Sequence, residues 1–212
     1  MCSNRVMSRG LPAGIAAAGL CGRRSALKTL ACLTAGLLGA RVGSHGPRPA
    51  HAIDDAGRRG LEVAVVDHDG LMAAVASRRG RVVVLDCWST SCPPCIREFP
   101  RLVALAAAHP DDVACLSLAF DYDGIGTAED SLPRVRQFLE KVGAHDVVNM
   151  LSREEADAIY RKLDLASVPA VFIWKADGTL AVRYDDDFAS QSLGRPFTYD
   201  DVETTVRSLL AP

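Results

Sequence analysis

Two cysteines spaced by two residues are the chemically most informative feature of this 212-residue chain. Cys92 and Cys95 enclose Pro93 and Pro94, and they closely follow the apolar run at 82–85. Two thiols at this spacing can close a small disulfide ring and open it again, which is the chemistry of dithiol redox catalysis. The sequence therefore predicts an enzyme that exchanges electrons with disulfides.

Metal binding is the main alternative use of such a pair. A structural zinc site needs four ligands, usually two cysteine pairs or one pair with spaced histidines, and this sequence has neither pattern. Copper handling, with both sulfurs as soft Cu(I) ligands, is the rival from another functional class, although no Met or His lies near the pair in sequence. The leading interpretation has no metal and no cofactor beyond the cysteine pair.

The two thiols are expected to have different roles. Cys92 precedes a predicted helix at 94–108, where the macrodipole and free amides favour a thiolate, so it should attack and Cys95 should resolve the mixed disulfide. Pro93 and Pro94 have no N–H, which removes two donors that would stabilise the Cys92 thiolate. Moderate thiolate stabilisation favours a disulfide reductant or general exchanger, with a disulfide-forming oxidant as the alternative.

Strands and helices alternate along the chain after residue 60. The predicted strands span 62–67, 81–87, 113–120, 147–150, 171–174 and 180–184, and the predicted helices span 70–77, 94–108, 132–142, 154–163 and 199–210. Such alternation predicts an α/β fold with a central mixed sheet and helices on both faces. The acidic segments at 121–130 and 185–187 are expected to be solvated.

The residues around the dithiol resemble a known family over about residues 60–210. Those that carry the resemblance are Asp86, Trp88, the Cys92-Pro93-Pro94-Cys95 motif, Glu98-Phe99-Pro100 and Val168-Pro169. Together they resemble the thioredoxin fold and, more narrowly, the exported TlpA/ResA-like thiol-disulfide oxidoreductases. The resemblance implies reduction of disulfides in other exported proteins.

Two carboxylates are candidates to accept the Cys95 proton. Asp86 ends a predicted buried strand at the position of the buried aspartate of thioredoxins, and Glu98 lies one helical turn beyond Cys95, where the resembled family has an active-site glutamate. We expect Glu98 to contribute more because its spacing from Cys95 is short. The structural alternatives are a solvated Glu98 paired with arginines and an Asp86 capped by backbone donors.

The resemblance also implies a substrate-binding loop. It places a cis-proline, Pro169, against the dithiol, where the backbone of Val168 can pair with an extended substrate segment. Trp88 is assigned to the same region, mainly as a packing residue. Cys87 and Cys115 lie in predicted buried strands and are expected to be inert.

The N-terminal segment has the features of an export signal. All acidic residues lie from Asp54 onward, whereas residues 1–52 carry seven basic residues. A twin-arginine pair, Arg23-Arg24, precedes an apolar run at 29–40, and Ala50-His51-Ala52 has the small-x-small form that signal peptidases accept. An uncleaved membrane anchor is the alternative.

The sequence thus predicts an export signal at 1–52, a short linker at 53–60 and a thioredoxin-like domain at 61–212. Residues 53–212 carry 17 basic and 26 acidic residues, a net charge of −9, which argues against nucleic acid as a partner. The expected partners are disulfide-containing exported proteins and a membrane-bound or soluble thiol electron donor. The expected location is periplasmic or otherwise extracytoplasmic.

Cleavage of the leader is the first testable prediction. Protein isolated from the producing cell should begin at or near Ile53, because Ala50-His51-Ala52 directly precedes it. N-terminal sequencing of the isolated protein measures this. Recovery of a chain that retains residues 1–52 in the membrane fraction would support the anchor instead, and recovery from the cytoplasm would contradict export.

Overall fold

The computed structural model describes residues 61–211, so the predicted export signal at 1–52 and linker at 53–60 lie outside the described residues. The described strands are β1 (Val63–Val66), β2 (Val82–Trp88), β3 (Val113–Ala119), β4 (Val148–Ser152), β5 (Ala170–Trp174) and β6 (Leu180–Tyr184). They form one mixed sheet in the order β1-β4-β3-β2-β5-β6. The first four in this order run parallel, whereas β5 is antiparallel to β2 and β6 to β5. The predicted fold class is therefore confirmed.

Helices cover both faces of this sheet. They are α1 (His68–Ala76), α2 (Pro93–Ala108), α3 (Leu132–Val142), α4 (Ala156–Leu163), α5 (Asp186–Phe188) and α6 (Tyr199–Leu210). Every predicted helix and strand is present, with ends that differ by at most two residues from prediction. Three short elements were not predicted because they are too brief for a periodic apolar pattern: the 3₁₀ turn Ala128–Ser131, the short α5 and the π-helical turn Ala189–Leu193. In the described part of the chain, no helix is long and apolar enough to cross a membrane.

Strand β2 lies at the centre of the sheet and leads directly to the dithiol. Its side chains alternate between faces because successive residues of a strand point in opposite directions. Val82, Val84 and Trp88 enter the core beneath α2, α3 and α6. Val83, Leu85 and Cys87 enter the core beneath α1 and α4. Asp86 points to the same face as Val84 and Trp88. The strand therefore directs a carboxylate into the apolar core that also contains Cys95.

Two of the acidic residues that were expected to be solvated are buried. Asp121, directly after β3, is 6% exposed, and Asp185, directly after β6, is 5% exposed. The Asp185 carboxylate accepts a hydrogen bond from the Phe188 amide at 2.8 Å and pairs with Arg183. The expectation was wrong at these positions because each strand end brings backbone donors and an arginine to the carboxylate, which offset its desolvation.

Candidate active site

Cys92 and Cys95 form a disulfide at the beginning of α2. Cys92 is the N-cap residue, and its sulfur accepts a hydrogen bond from the Cys95 amide with an N to Sγ distance of 3.3 Å. Pro93 and Pro94 occupy the first two helical positions, where proline is tolerated and no N–H is available. Cys92 is 9% exposed and Cys95 is 3% exposed, so Cys92 is the more exposed residue of the pair.

The loop before β5 lies against this disulfide. The Val168–Pro169 peptide bond is cis, and the Val168 carbonyl oxygen lies 3.7 Å from Cys92 Sγ. Strand β5 pairs with β2 so that Ala170 lies opposite Cys87. The end of β2 and the start of β5 are neighbours in the sheet. The dithiol and the cis-proline loop therefore lie together beyond the carboxyl end of β2.

Asp86 is a buried acid in the core beneath α2 and α6, with 3% of its surface exposed. The Tyr199 hydroxyl donates a hydrogen bond to Asp86 Oδ2, while Oδ1 has no hydrogen-bond partner among the described residues. Burial raises the pKa of this carboxyl to about 7, the Tyr199 hydrogen bond opposes the rise, and the nearby charge of Glu98 adds to it. Asp86 can therefore exchange a proton near neutral pH.

Glu98 lies on α2 and is partly buried. Among residues 61–211 it makes no ion pair and no side-chain hydrogen bond, so the alternative of a glutamate paired with arginines finds no support. Arg101, one turn further along α2, pairs instead with Asp200 at 2.8 Å and Glu203 at 2.7 Å. The charge of Glu98 contributes to the raised pKa of Asp86.

Trp88 is wholly buried at the end of β2. Its ring packs against Phe99 and Phe138, with centroid distances of 4.9 and 4.8 Å. The side chain has no exposed surface, so the contacts that the structure shows for Trp88 are core packing, the role mainly expected from the sequence. Its indole Nε1 has no hydrogen-bond partner in the described part of the chain.

The two remaining cysteines of the described residues are buried and free. Burial raises the pKa of Cys87 well above its ordinary value and that of Cys115 to about 12, so both thiols stay protonated at neutral pH. Within residues 61–211, no group of three or more His, Cys, Asp or Glu side chains could hold a metal ion.

Asp121 is a site residue that the sequence analysis missed. Its carboxylate accepts hydrogen bonds from the amide of Thr90, at 3.1 Å, and from the Thr90 hydroxyl. Arg134 Nε on α3 donates to the same carboxylate at 3.1 Å. These contacts hold the loop that immediately precedes Cys92. The signal was available, because Asp121 directly follows a parallel strand, and the carboxyl ends of parallel strands gather at one edge of a sheet.

Sequence comparison finds related proteins over part of the chain. No family model matches the chain. The chain is 31% identical over 105 residues to the soluble secreted antigen MPT53 of Mycobacterium tuberculosis and to its Mycobacterium bovis counterpart. The match covers 49% of this chain and 53% of theirs, so it spans about half the length of these relatives.

Solved structures similar to this chain include proteins described as thiol-disulfide oxidoreductases and as thioredoxin-like proteins. A thiol-disulfide isomerase from Corynebacterium glutamicum is 18% identical with a TM-score of 0.50, covering 73% of this chain and 97% of that one. The chain has the thioredoxin fold. A secreted Mycobacterium tuberculosis disulfide oxidoreductase homologous to Escherichia coli DsbE is 24% identical with a TM-score of 0.46, covering 63% of this chain and 86% of that one. Within this thioredoxin fold, the dithiol, the cis-proline loop and the buried Asp86 form the candidate active site.

The buried acid predicts a pH-dependent stability. Because folding raises the Asp86 pKa from 3.8 to about 7, the folded state binds more protons than the unfolded state between these values, and stability falls as pH rises through this window. Asp86→Asn removes the titrating group and with it this loss. The difference in free energy of unfolding between Asp86→Asn and the unmodified protein should therefore favour the variant by about 2–3 kcal/mol more at pH 8 than at pH 5. Denaturant unfolding of the oxidised protein at both pH values measures the difference.

Asp112→Asn is the matched control, since Asp112 is exposed just before β3. Its effect should be the same at both pH values. An Asp86→Asn effect that does not differ between pH 5 and pH 8 would contradict the raised pKa.

Proposed function

We propose that this protein is an exported thiol-disulfide oxidoreductase that reduces disulfides of other exported proteins. The observation that carries the proposal is the Cys92–Cys95 disulfide at the start of α2, in contact with the Val168 carbonyl of the cis-proline loop. In the reduced enzyme, the Cys92 thiolate attacks a substrate disulfide and releases one substrate thiol. Cys95 then attacks Cys92 and releases the second substrate thiol. Each substrate sulfur leaves as a thiolate and takes up one proton, from the group that accepted the Cys95 proton or from solvent. The substrate thus gains two electrons and two protons while the Cys92–Cys95 disulfide forms.

The two prolines at the start of α2 support the reductant direction because they remove two amide donors from the vicinity of the Cys92 sulfur. With Pro93 and Pro94 at the first two helical positions, the amide that contacts the Cys92 sulfur is that of Cys95, at 3.3 Å. A strong oxidant requires a reduced form that is unusually stabilised, and a single amide stabilises the thiolate less than a full set of helix N-terminal donors. The TlpA/ResA-like reductases resembled by the sequence are the subfamily that we propose.

Asp86 is the group that we assign as acceptor of the Cys95 proton. It is buried in the core that contains Cys95, and its pKa of about 7 balances availability of the ionised form against basicity. Glu98 was the preferred acceptor on sequence grounds. It lacks the burial that acts on Asp86, and we assign it the role of an electrostatic neighbour that raises the Asp86 pKa.

The substrate is an extended segment of a disulfide-containing protein. The Val168 backbone, beside Cys92, would pair with it as an added strand, next to Pro169. The basic leader and the similarity to a secreted relative support an extracytoplasmic location. A membrane-bound or soluble thiol donor would then return electrons to the Cys92–Cys95 disulfide.

Trapping distinguishes the attacking thiol from the resolving thiol. Reduced Cys95→Ser should accumulate a mixed disulfide with a small disulfide-bonded protein, because Cys92 can attack but the adduct cannot be resolved. Reduced Cys92→Ser should accumulate little adduct, because Cys95 is the more buried sulfur. Non-reducing electrophoresis and mass spectrometry measure the adduct. Equal trapping by both variants would contradict the assignment, and no trapping by either would contradict the proposed activity.

The proton acceptor is tested by the pH dependence of the resolving step. Asp86→Asn should slow release of substrate from the mixed disulfide about tenfold or more at pH 7, with little effect at pH 9, where hydroxide can take the Cys95 proton directly. Glu98→Gln removes a negative charge near Asp86, so it should move the midpoint of the profile to lower pH without a comparable loss of rate. Single-turnover rates from pH 6 to 9 measure both effects. A large rate loss confined to Glu98→Gln would transfer the acceptor role to Glu98.

A further inference from the structure

The hydroxyl of Tyr199 contacts the proposed proton acceptor from the far end of the chain. Tyr199 is the first residue of α6 and is 2% exposed. Its Oη donates to Asp86 Oδ2, across 113 residues of sequence. Oδ1 has no hydrogen-bond partner among the described residues and is therefore the oxygen free to receive a proton. The phenol thus occupies one side of the carboxyl and leaves the other side for chemistry.

The position of Tyr199 is determined by contacts outside the active site. Thr198 and Asp201 form a capping box that begins α6, with the Thr198 amide 2.9 Å from Asp201 Oδ2. Arg101 on α2 reaches Asp200 and Glu203 and so ties α6 to the helix that carries the dithiol. These contacts place the phenol at Asp86 before any substrate is bound.

The groups that face Asp86 affect its charge in different directions. Glu98 on α2 is a like charge and opposes ionisation of Asp86. Cys115 on β3 lies in the same core and remains a protonated thiol at neutral pH, whereas Cys87, although adjacent in the chain, points into the core on the other face of the sheet. Burial also raises the pKa of Tyr199 well above its ordinary value, so this phenol stays a hydrogen-bond donor throughout the working range. A donor to the ionised carboxylate favours that form.

We propose that Tyr199 is a positioning residue that orients Asp86 and keeps this carboxyl able to accept the Cys95 proton at neutral pH. The proposal rests on the proposed function, because it takes Asp86 as the acceptor. Without the hydroxyl, burial and Glu98 act on Asp86 unopposed. The carboxyl would then hold its proton at neutral pH and could not accept another from Cys95.

Tyr199→Phe tests this proposal because it removes the hydroxyl and keeps the ring. A lost hydrogen bond to a charged group corresponds to about one pKa unit, so the midpoint of the pH profile for the resolving step should rise by about one unit. The rate at pH 7 should fall about fivefold and the rate at pH 9 should be unchanged. The carbon-13 NMR titration of the Asp86 carboxyl in the reduced protein should shift upward by the same amount.

Tyr184→Phe is the matched control. The Tyr184 hydroxyl, at the end of β6, lies 2.8 Å from Oγ1 of Thr205 on α6, the helix that begins with Tyr199. Tyr184→Phe therefore also removes a phenol contact with α6, but not one with Asp86. Its midpoint should equal that of the unmodified protein. Equal midpoints for Tyr199→Phe and the unmodified protein, or equal shifts in both tyrosine variants, would overturn the proposal.

Combination with Asp86→Asn separates this inference from the proposed function. If Tyr199 acts through Asp86, Tyr199→Phe should have no further effect on the resolving step in the Asp86→Asn background. An additional loss in that background would overturn the positioning role. An unaltered pH profile in Asp86→Asn alone would refute Asp86 as the acceptor, and the NMR titration would then decide whether Tyr199 sets its pKa.

Discussion

A carboxylate buried in the central strand is the constraint to which the rest of the site is fitted. Taking an ionised carboxylate out of water is costly unless hydrogen bonds replace its hydration, and Asp86 has one such bond among the described residues, from Tyr199. The pKa therefore rises to about 7, which costs stability progressively as pH rises from 3.8 to that value. The pairing of β2 with β3 on one side and β5 on the other helps to offset this loss of stability. Perturbed acids of this kind are concentrated at functional sites.

The dithiol depends on three chain segments that converge at the end of β2. The beginning of α2 places Cys92 at a helix terminus, the Val168–Pro169 loop covers its sulfur, and Asp121 holds Thr90 in the loop before it. None of these contacts changes the covalent chemistry of a cysteine pair. Together they determine which sulfur is accessible and from which direction a substrate backbone can approach it.

Spacing and burial favour different residues, Glu98 and Asp86, as the acceptor of the Cys95 proton. Helical spacing from Cys95 favours Glu98, because residues one turn apart share a face of a helix. Burial favours Asp86, because α6 closes over β2 and excludes water from the carboxyl. Since desolvation is the largest effect on the Asp86 pKa, we weight burial above spacing.

Much of the fold and the centre of the site follow from local sequence patterns. The Cys-x-x-Cys motif, the apolar β2 before it and the helix after it depend on residues close in the chain, so spacing and periodicity predicted them correctly. Periodicity also predicted that Asp86 lies in a buried strand. Spacing and periodicity did not indicate that Asp121 and Asp185 are buried, because the burial of Asp121 depends on Thr90 and Arg134 from other elements, and that of Asp185 on a short turn without a periodic pattern.

Only the tertiary structure decided which polar groups meet. Tyr199 reaches Asp86 across 113 residues, and Asp121 reaches Thr90 across 31, separations at which no periodic pattern carries information. A hydrophobic pattern tells which face of an element is covered, but it does not identify the side chain that covers it. The sequence by itself thus determined the redox pair and the elements that carry it. The packing of α6, α3 and the loop before β5 around that pair decided how its protons and its accessibility are controlled.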